Sequence, residues 1–223
     1  MKIGLLLPTF EVGARQALDV AAEAADAGLD GVFAYDHLWP MGSPTRPALA
    51  PFPVLAAVAA RHEISVGPLV ARVGLFGTAH LIETLTALEV IAPGRVIAAL
   101  GTGDKLSAAE NVAYGLPEYS ANERREMLAA TATTLKPLMP VWIGAGAPAT
   151  NELARSLGVT LNMWNATPAD VAAASLEGPV SWAGPVPSDL DATLDALDAA
   201  GATWAVLSPH ARVADLARWR RTR

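Results

Sequence analysis

Asp36 and His37 stand side by side at the end of the apolar run at residues 31–35, GVFAY. An imidazole there can take a proton from a substrate hydroxyl, or return one, near neutral pH. Asp36 can orient a neighbour or bond a bound ring; equally, it can cap the following turn while His37 merely tops the fold. Residues 101–104, GTGD, close a second apolar run, and by themselves Gly101, Thr102 and Gly103 read as a tight turn beside Asp104. Residues 144–148, GAGAP, open a helical pattern. The backbone N–H groups of Gly144, Ala145, Gly146 and Ala147, with the helix dipole, can therefore hold a phosphate without a cationic side chain. A plain strand-to-helix turn is the bland alternative. Asn162, on the apolar stretch 160–164, needs partners in a ligand or in adjacent backbone. No His, Asp and Glu cluster has metal-ligand spacing, so no metal is expected.

These residues need a frame. Eight short apolar or β-branched runs recur, at 3–7, 31–35, 64–70, 95–100, 141–143, 160–164, 180–183 and 204–208, each followed by a helical pattern. The helical patterns cover 14–27, 52–61, 78–92, 122–135, 149–157, 168–176, 188–200 and 211–220. Strand and helix in alternation predict parallel strands with crossover helices, and eight strands can close an α/β barrel, a (β/α)8 TIM barrel. Gly28, Gly94, Gly158 and Gly201 each follow a helical run, where a left-handed cap is needed. The chemistry-bearing residues all follow strands, so a barrel gathers them at one mouth. An open doubly wound sheet is the rival fold, but residues 8–13 read PTFEVG where it would carry GxGxxG. The Pro-rich stretch 40–53 has loop character and the length of a lid.

Composition narrows the function classes. The 223 residues form one expected domain, 1–223, that is 52% hydrophobic with much alanine, which suits helices packed closely on a sheet. Apolar runs stop short of the roughly 18 residues a membrane span needs. A net charge of −6 provides no field to gather nucleic acid, so any phosphate must be held locally. Without cysteine there is neither a disulfide framework nor thiolate chemistry. The start, MKIGLLLPTF, has too short an apolar run for a secretory signal and reads as the first strand of a cytoplasmic protein.

Three ordered stretches carry a family resemblance. Residues 21–40, AAEAADAGLDGVFAYDHLWP, resemble the luciferase-like monooxygenase family, whose second strand ends in Asp-His followed within a few residues by Trp, here Trp39. Residues 87–103, ALEVIAPGRVIAALGTG, resemble its third helix, Gly-Arg turn and fourth strand, and residues 140–148, PVWIGAGAP, its glycine-rich phosphate loop. The GTGD loop is similar to that of the branch using the deazaflavin coenzyme F420, with Asp104 for a Glu and Ser107 for an Asn.

The resemblance implies a compact barrel that binds coenzyme F420, or alternatively FMN, and moves hydride between C5 of the deazaflavin and a small organic substrate. It implies His37 as general acid or base, Asp104 as an acid at the N1 side of the ring and Trp39 as a wall of the reacting centre. Asp36, Gly101, Thr102, Gly103, Ser107, residues 144–147 and Asn162 would contact the cofactor. Leu69 and Val70, within ISVGPLVARV (64–73), occupy the place of a bulge or non-prolyl cis peptide against the ring. Two rival readings are an FMN-dependent monooxygenase and a catalytically silent flavin-binding barrel. Ala149 and Thr150 stand where the family often has Arg, and the family's insertion before the fifth strand is reduced. The pocket roof is therefore expected from 40–53 or from a neighbouring subunit of a homodimer.

Overall fold

A computed structural model describes residues 1–222 except 11–13, 41–42, 45 and 104–106. The strands are β1 (Lys2–Leu6), β2 (Gly31–Ala34), β3 (Ser65–Pro68), β4 (Ala71–Arg72), β5 (Ala98–Gly101), β6 (Val141–Gly144), β7 (Thr160–Trp164), β8 (Val180–Gly184) and β9 (Ala202–Leu207). The helices are α1 (Ala14–Asp26), α2 (Pro51–Ala59), α3 (Thr78–Ile91), α4 (Ala108–Ala113), α5 (Ala121–Leu135), α6 (Pro148–Leu157), α7 (Pro168–Ser175), α8 (Leu190–Ala199) and α9 (Val213–Arg221). The sheet runs β3-β2-β1-β9-β8-β7-β6-β5-β4, and every pairing is parallel.

The two ends of that order are two halves of one barrel strand. Sequence reading runs the third strand over 64–70, and the family resemblance places a bulge or non-prolyl cis peptide at Leu69 and Val70; the Leu69–Val70 bond is cis, and the strand breaks there between β3 and β4. Val66 nonetheless pairs with Val96 across the seam, donating to the Arg95 carbonyl at 2.9 Å while its own carbonyl accepts from Ile97 at 2.9 Å. The sheet is thereby a nearly closed TIM barrel with helices outside.

Strand alternation decides what fills it. On β1, Ile3 and Leu5 face the helix layer while Leu6 faces the barrel interior; on β2, Val32 and Ala34 face out and Phe33 faces in. The interior is narrow and is plugged by Phe33, Trp142 and Trp204, with ring centroids 5.3–5.8 Å apart. Gly4 makes the room: a β-carbon there would lie 2.8 Å from the Phe33 ring. Outside, Ala17, Ala21 and Ala24 of α1 are fully buried, so alanine lets the helix sit close to the strands. The four glycines expected to cap helices all have positive φ.

Helix α4 was not legible in the sequence. Its six residues, AAENVA, are too few to show a helical period, and it occupies the loop after β5. The 40–53 stretch is also shorter as a loop than expected, because Pro51 already begins α2.

The terminal helix is tied back to the amino end of the barrel. Asp30 accepts from Ile3 N at 2.8 Å and from Arg220 Nε and Nη2 at 2.8 and 2.7 Å. Burial, the largest single influence, pushes the Asp30 carboxyl up; the Arg220 bond, the Ile3 amide and the charges of Arg220 and Lys2 together hold it below the ordinary value. A depressed carboxyl stabilises the fold above the pKa of an unfolded Asp, about 4, and that contribution fades as pH falls below it. Asp30→Asn should therefore cost about 1 kcal/mol at pH 7, modest because the pair is partly solvated, and much less by pH 3. Urea unfolding of both proteins at the two pH values checks this; a gap that stays constant or widens in acid refutes it.

Candidate active site

The carboxyl ends of the strands surround a cavity of about 580 Å³, within the range that holds small molecules and cofactors. Tyr35 and His37 enter it from the end of β2, Leu69, Val70 and Arg72 from the broken third strand, and Thr102, Gly103 and Ser107 from the loop after β5. The loop at 144–147, Thr150, Asn162 and Trp164 complete one side, and Phe10, Ala121, Arg124 and Arg125 border the rest.

A buried ion cluster lies under His37. Arg72 donates its backbone N–H to Asp36 Oδ2 at 2.8 Å, its Nε–H to the Asp36 carbonyl at 2.9 Å and its Nη2–H to Glu110 Oε2 at 2.8 Å. Glu110 Oε2 also accepts from Leu38 N at 3.0 Å, and Oε1 lies 2.8 Å from His37 Nδ1. Glu110 is only 1% exposed although it sits on a short surface helix. Burial pushes the Asp36 carboxyl up, against the Arg72 amide and the charges of Arg72 and His37, while Glu110 adds to the rise.

An aromatic wall stands beside this cluster. Phe10 stacks on Tyr35 with centroids 4.8 Å apart and planes 9° apart, and it meets His37 edge-on at 6.0 Å. Trp164, half exposed, meets Tyr35 edge-on at 6.2 Å. Burial pushes the Tyr35 phenol up to about 12, so it stays a neutral donor.

Backbone geometry shapes the floor. A β-carbon on Gly101 would come within 2.4 Å of Val70 Cγ2, so glycine there admits the Leu69–Val70 segment to the cavity wall. In the 144–147 loop two amides are already committed: Ala145 N donates to the Asn162 carbonyl at 2.7 Å and Gly146 N to Asn151 Oδ1 at 2.9 Å. The buried Asn162 side chain donates to Ser181 Oγ at 3.0 Å.

The structure brings His37, Leu69, Val70, Gly101, Thr102, Gly103, Ser107, Gly144, Ala145, Gly146, Ala147 and Asn162 around the one cavity. Asp36 lies beneath it, on Arg72, and is not part of the lining. Trp39 is buried beside Tyr114, with ring centroids 5.9 Å apart, and does not line the cavity either. Asp104 lies outside the described residues.

Arg72, Glu110, Phe10, Tyr35, Trp164, Arg124 and Arg125 border or support the cavity, and sequence reasoning assigned none of them a role. Glu110 had one signal, a lone acid within the apolar stretch AAENVA; Arg72 had another, a cation inside the third-strand run. The expected roof is corrected too. Among the described residues, 40–53 adds nothing to the lining, although Arg46 Nη2 bonds the Phe10 carbonyl at 3.0 Å. Helix α5, whose start is fixed by a Ser120–Glu123 capping box, brings Ala121, Arg124 and Arg125 to the cavity's border.

Comparison with known proteins places this geometry. The pattern described as luciferase-like monooxygenase matches residues 1–131. The chain belongs to that family. It is 27% identical over 183 residues to an F420-dependent glucose-6-phosphate dehydrogenase of Microbacterium testaceum, covering 69% of this chain and 54% of the relative. It is 30% identical over 142 residues to the enzyme of the same name from Intrasporangium calvum, covering 62% and 42%. The chain thus spans about half the length of the curated relatives it matches. Among solved structures, an F420-dependent secondary alcohol dehydrogenase in complex with an F420–acetone adduct superposes with a TM-score of 0.77 at 12% identity, covering 99% and 97% of the two chains. The coenzyme F420-dependent tetrahydromethanopterin reductase from Methanopyrus kandleri gives 0.75 at 13% identity, covering 98% and 96%. These two share the fold of the family member described here.

The phenol is open to direct measurement. An ultraviolet pH titration of wild type minus Tyr35→Phe should show one phenolate appearing only near pH 12. A difference that titrates near 10, the ordinary value, removes the buried donor from the wall.

Proposed function

We propose that this family member is an oxidoreductase that uses coenzyme F420, with hydride passing between C5 of the deazaflavin and a small organic substrate. The observation that carries the reading is His37, held by a buried carboxylate and edge-on to an aromatic wall, beside a cavity of cofactor size. The names of the curated relatives, F420-dependent glucose-6-phosphate dehydrogenases, support it.

The residues present fit such a cofactor. Phe10, Tyr35, Leu69, Val70 and Trp164 give apolar surface for a flat ring, and Arg124 and Arg125 give positive charge for an anionic tail. Arg124 Nε is buried and without a partner, and Arg125 bonds only the neutral Asn122 among the described residues. When bound, the coenzyme supplies the hydride donor or acceptor; the protein supplies orientation and proton handling. His37 takes the proton of a substrate hydroxyl as the carbon is oxidised and returns it in the reverse direction. Asp104 is the proposed acid of the 101–104 loop, and Tyr35 donates a neutral hydrogen bond at the wall. Thr102, Gly103, Ser107 and the 144–147 loop hold the ligand from the other strand ends. Trp39, packed on Tyr114, steadies the segment that carries His37.

The rival cofactor is FMN, which an oxygenating neighbour of the same fold binds. Side-by-side titrations decide: tight quenching of F420 fluorescence with much weaker FMN binding is expected, and a preference for FMN overturns the assignment. In the same assay Arg125→Ala should weaken F420 binding about tenfold, the worth of one charge-assisted hydrogen bond. His37→Ala should leave F420 affinity nearly unchanged while lowering turnover by about 10²- to 10⁴-fold. Turnover that survives that substitution ends the proton-transfer role.

A further inference from the structure

We propose that Glu110 is the positioning residue of this site. Its carboxylate, clamped by Arg72, fixes the His37 ring with the hydrogen on Nδ1 and leaves Nε2 as the atom that takes the proton. This rests on the proton-transfer role given to His37, and it concerns the apo protein's own residues.

The donors around Glu110 force the assignment. Leu38 N–H and the Arg72 guanidinium can only donate, and both point at Oε2, at 3.0 and 2.8 Å. A carboxylate held this way offers Oε1 as an acceptor too, so the His37 nitrogen 2.8 Å from it must carry the hydrogen. In a neutral imidazole the second nitrogen, Nε2, then holds the free lone pair. Arg72 cannot rotate away, since its Nε–H and its backbone N–H are both spent on Asp36 at 2.9 and 2.8 Å. Orientation therefore passes from Asp36 through Arg72 and Glu110 to the imidazole. His37 is partly exposed and borders the cavity, whereas Glu110 is buried and absent from its lining. Glu110 acts on a ligand only through His37.

The nitrogen shifts of the His37 ring read the tautomer directly. Protein labelled with nitrogen-15 in its four histidines is compared with His37→Asn to assign the ring, at pH above about 8 where an ordinary imidazole is neutral. Wild type should show a protonated Nδ1 and a lone-pair Nε2. Glu110→Gln makes a sharper test. Its amide oxygen is claimed by Leu38 and Arg72, so its NH2 faces Nδ1 and the ring should switch to the Nε2–H tautomer. Turnover should then fall by about 10²- to 10⁴-fold with KM and F420 affinity little changed, as for loss of the base itself.

A wild-type ring protonated at Nε2 overturns the proposal without any substitution, so it stays decidable even where Glu110→Gln fails to fold. A Gln variant that keeps the Nδ1–H tautomer overturns it as well. Should the tautomers come out as expected in a protein that binds no F420, the cofactor reading fails and the positioning role stands.

Discussion

The mouth of this barrel is organised around one buried cluster of charge. Asp36 and His37 end the second strand, Arg72 ends the broken third strand, and Glu110 reaches in from α4; each is bonded to the next at 2.8–2.9 Å. Burying a guanidinium against one carboxylate, with a second carboxyl on its own backbone amide, is costly and persists only where every donor and acceptor is met. Here Leu38 N takes the remaining place on Glu110, and the Asp36 carbonyl takes Arg72 Nε. Leaving one such charge unpaired typically costs about 3–5 kcal/mol, so the strand ends and α4 hold one another in register. Burial pushes the Asp36 carboxyl up, and the Arg72 amide and charge offset this only in part.

The cluster matters because the roof is otherwise slight. Helix α5 supplies Ala121, Arg124 and Arg125, and its capping box sets where those guanidiniums lie. An acidic chain of net charge −6 thus places Arg124 and Arg125 at the border of the cavity. In the 144–147 loop, by contrast, two amides are spent on its own fold.

Below the mouth the barrel is solid. Phe33, Trp142 and Trp204 fill its interior, and Tyr35 and Val70 pack on that layer from above. Tyr35 and Val70 thus join the lining of the cavity to that ring layer, and Phe10 and Trp164 stand against Tyr35.

The sequence by itself determined the alternation of strands and helices, the barrel they close and the strand-end loops that meet at its mouth. Period-two and period-3.6 patterns, with glycine caps, are local signals, and they survive reading one residue at a time. It also pointed to His37, the 101–103 loop and the 144–147 loop, because strand ends in a barrel converge whatever the detail. Only the tertiary structure decided which groups touch. Glu110 lies 73 residues from His37 and 38 from Arg72, and no local pattern links them. Helix α4 is too short to announce itself. Partners set by long-range packing, rather than by periodicity, fix how the histidine at a strand end is held.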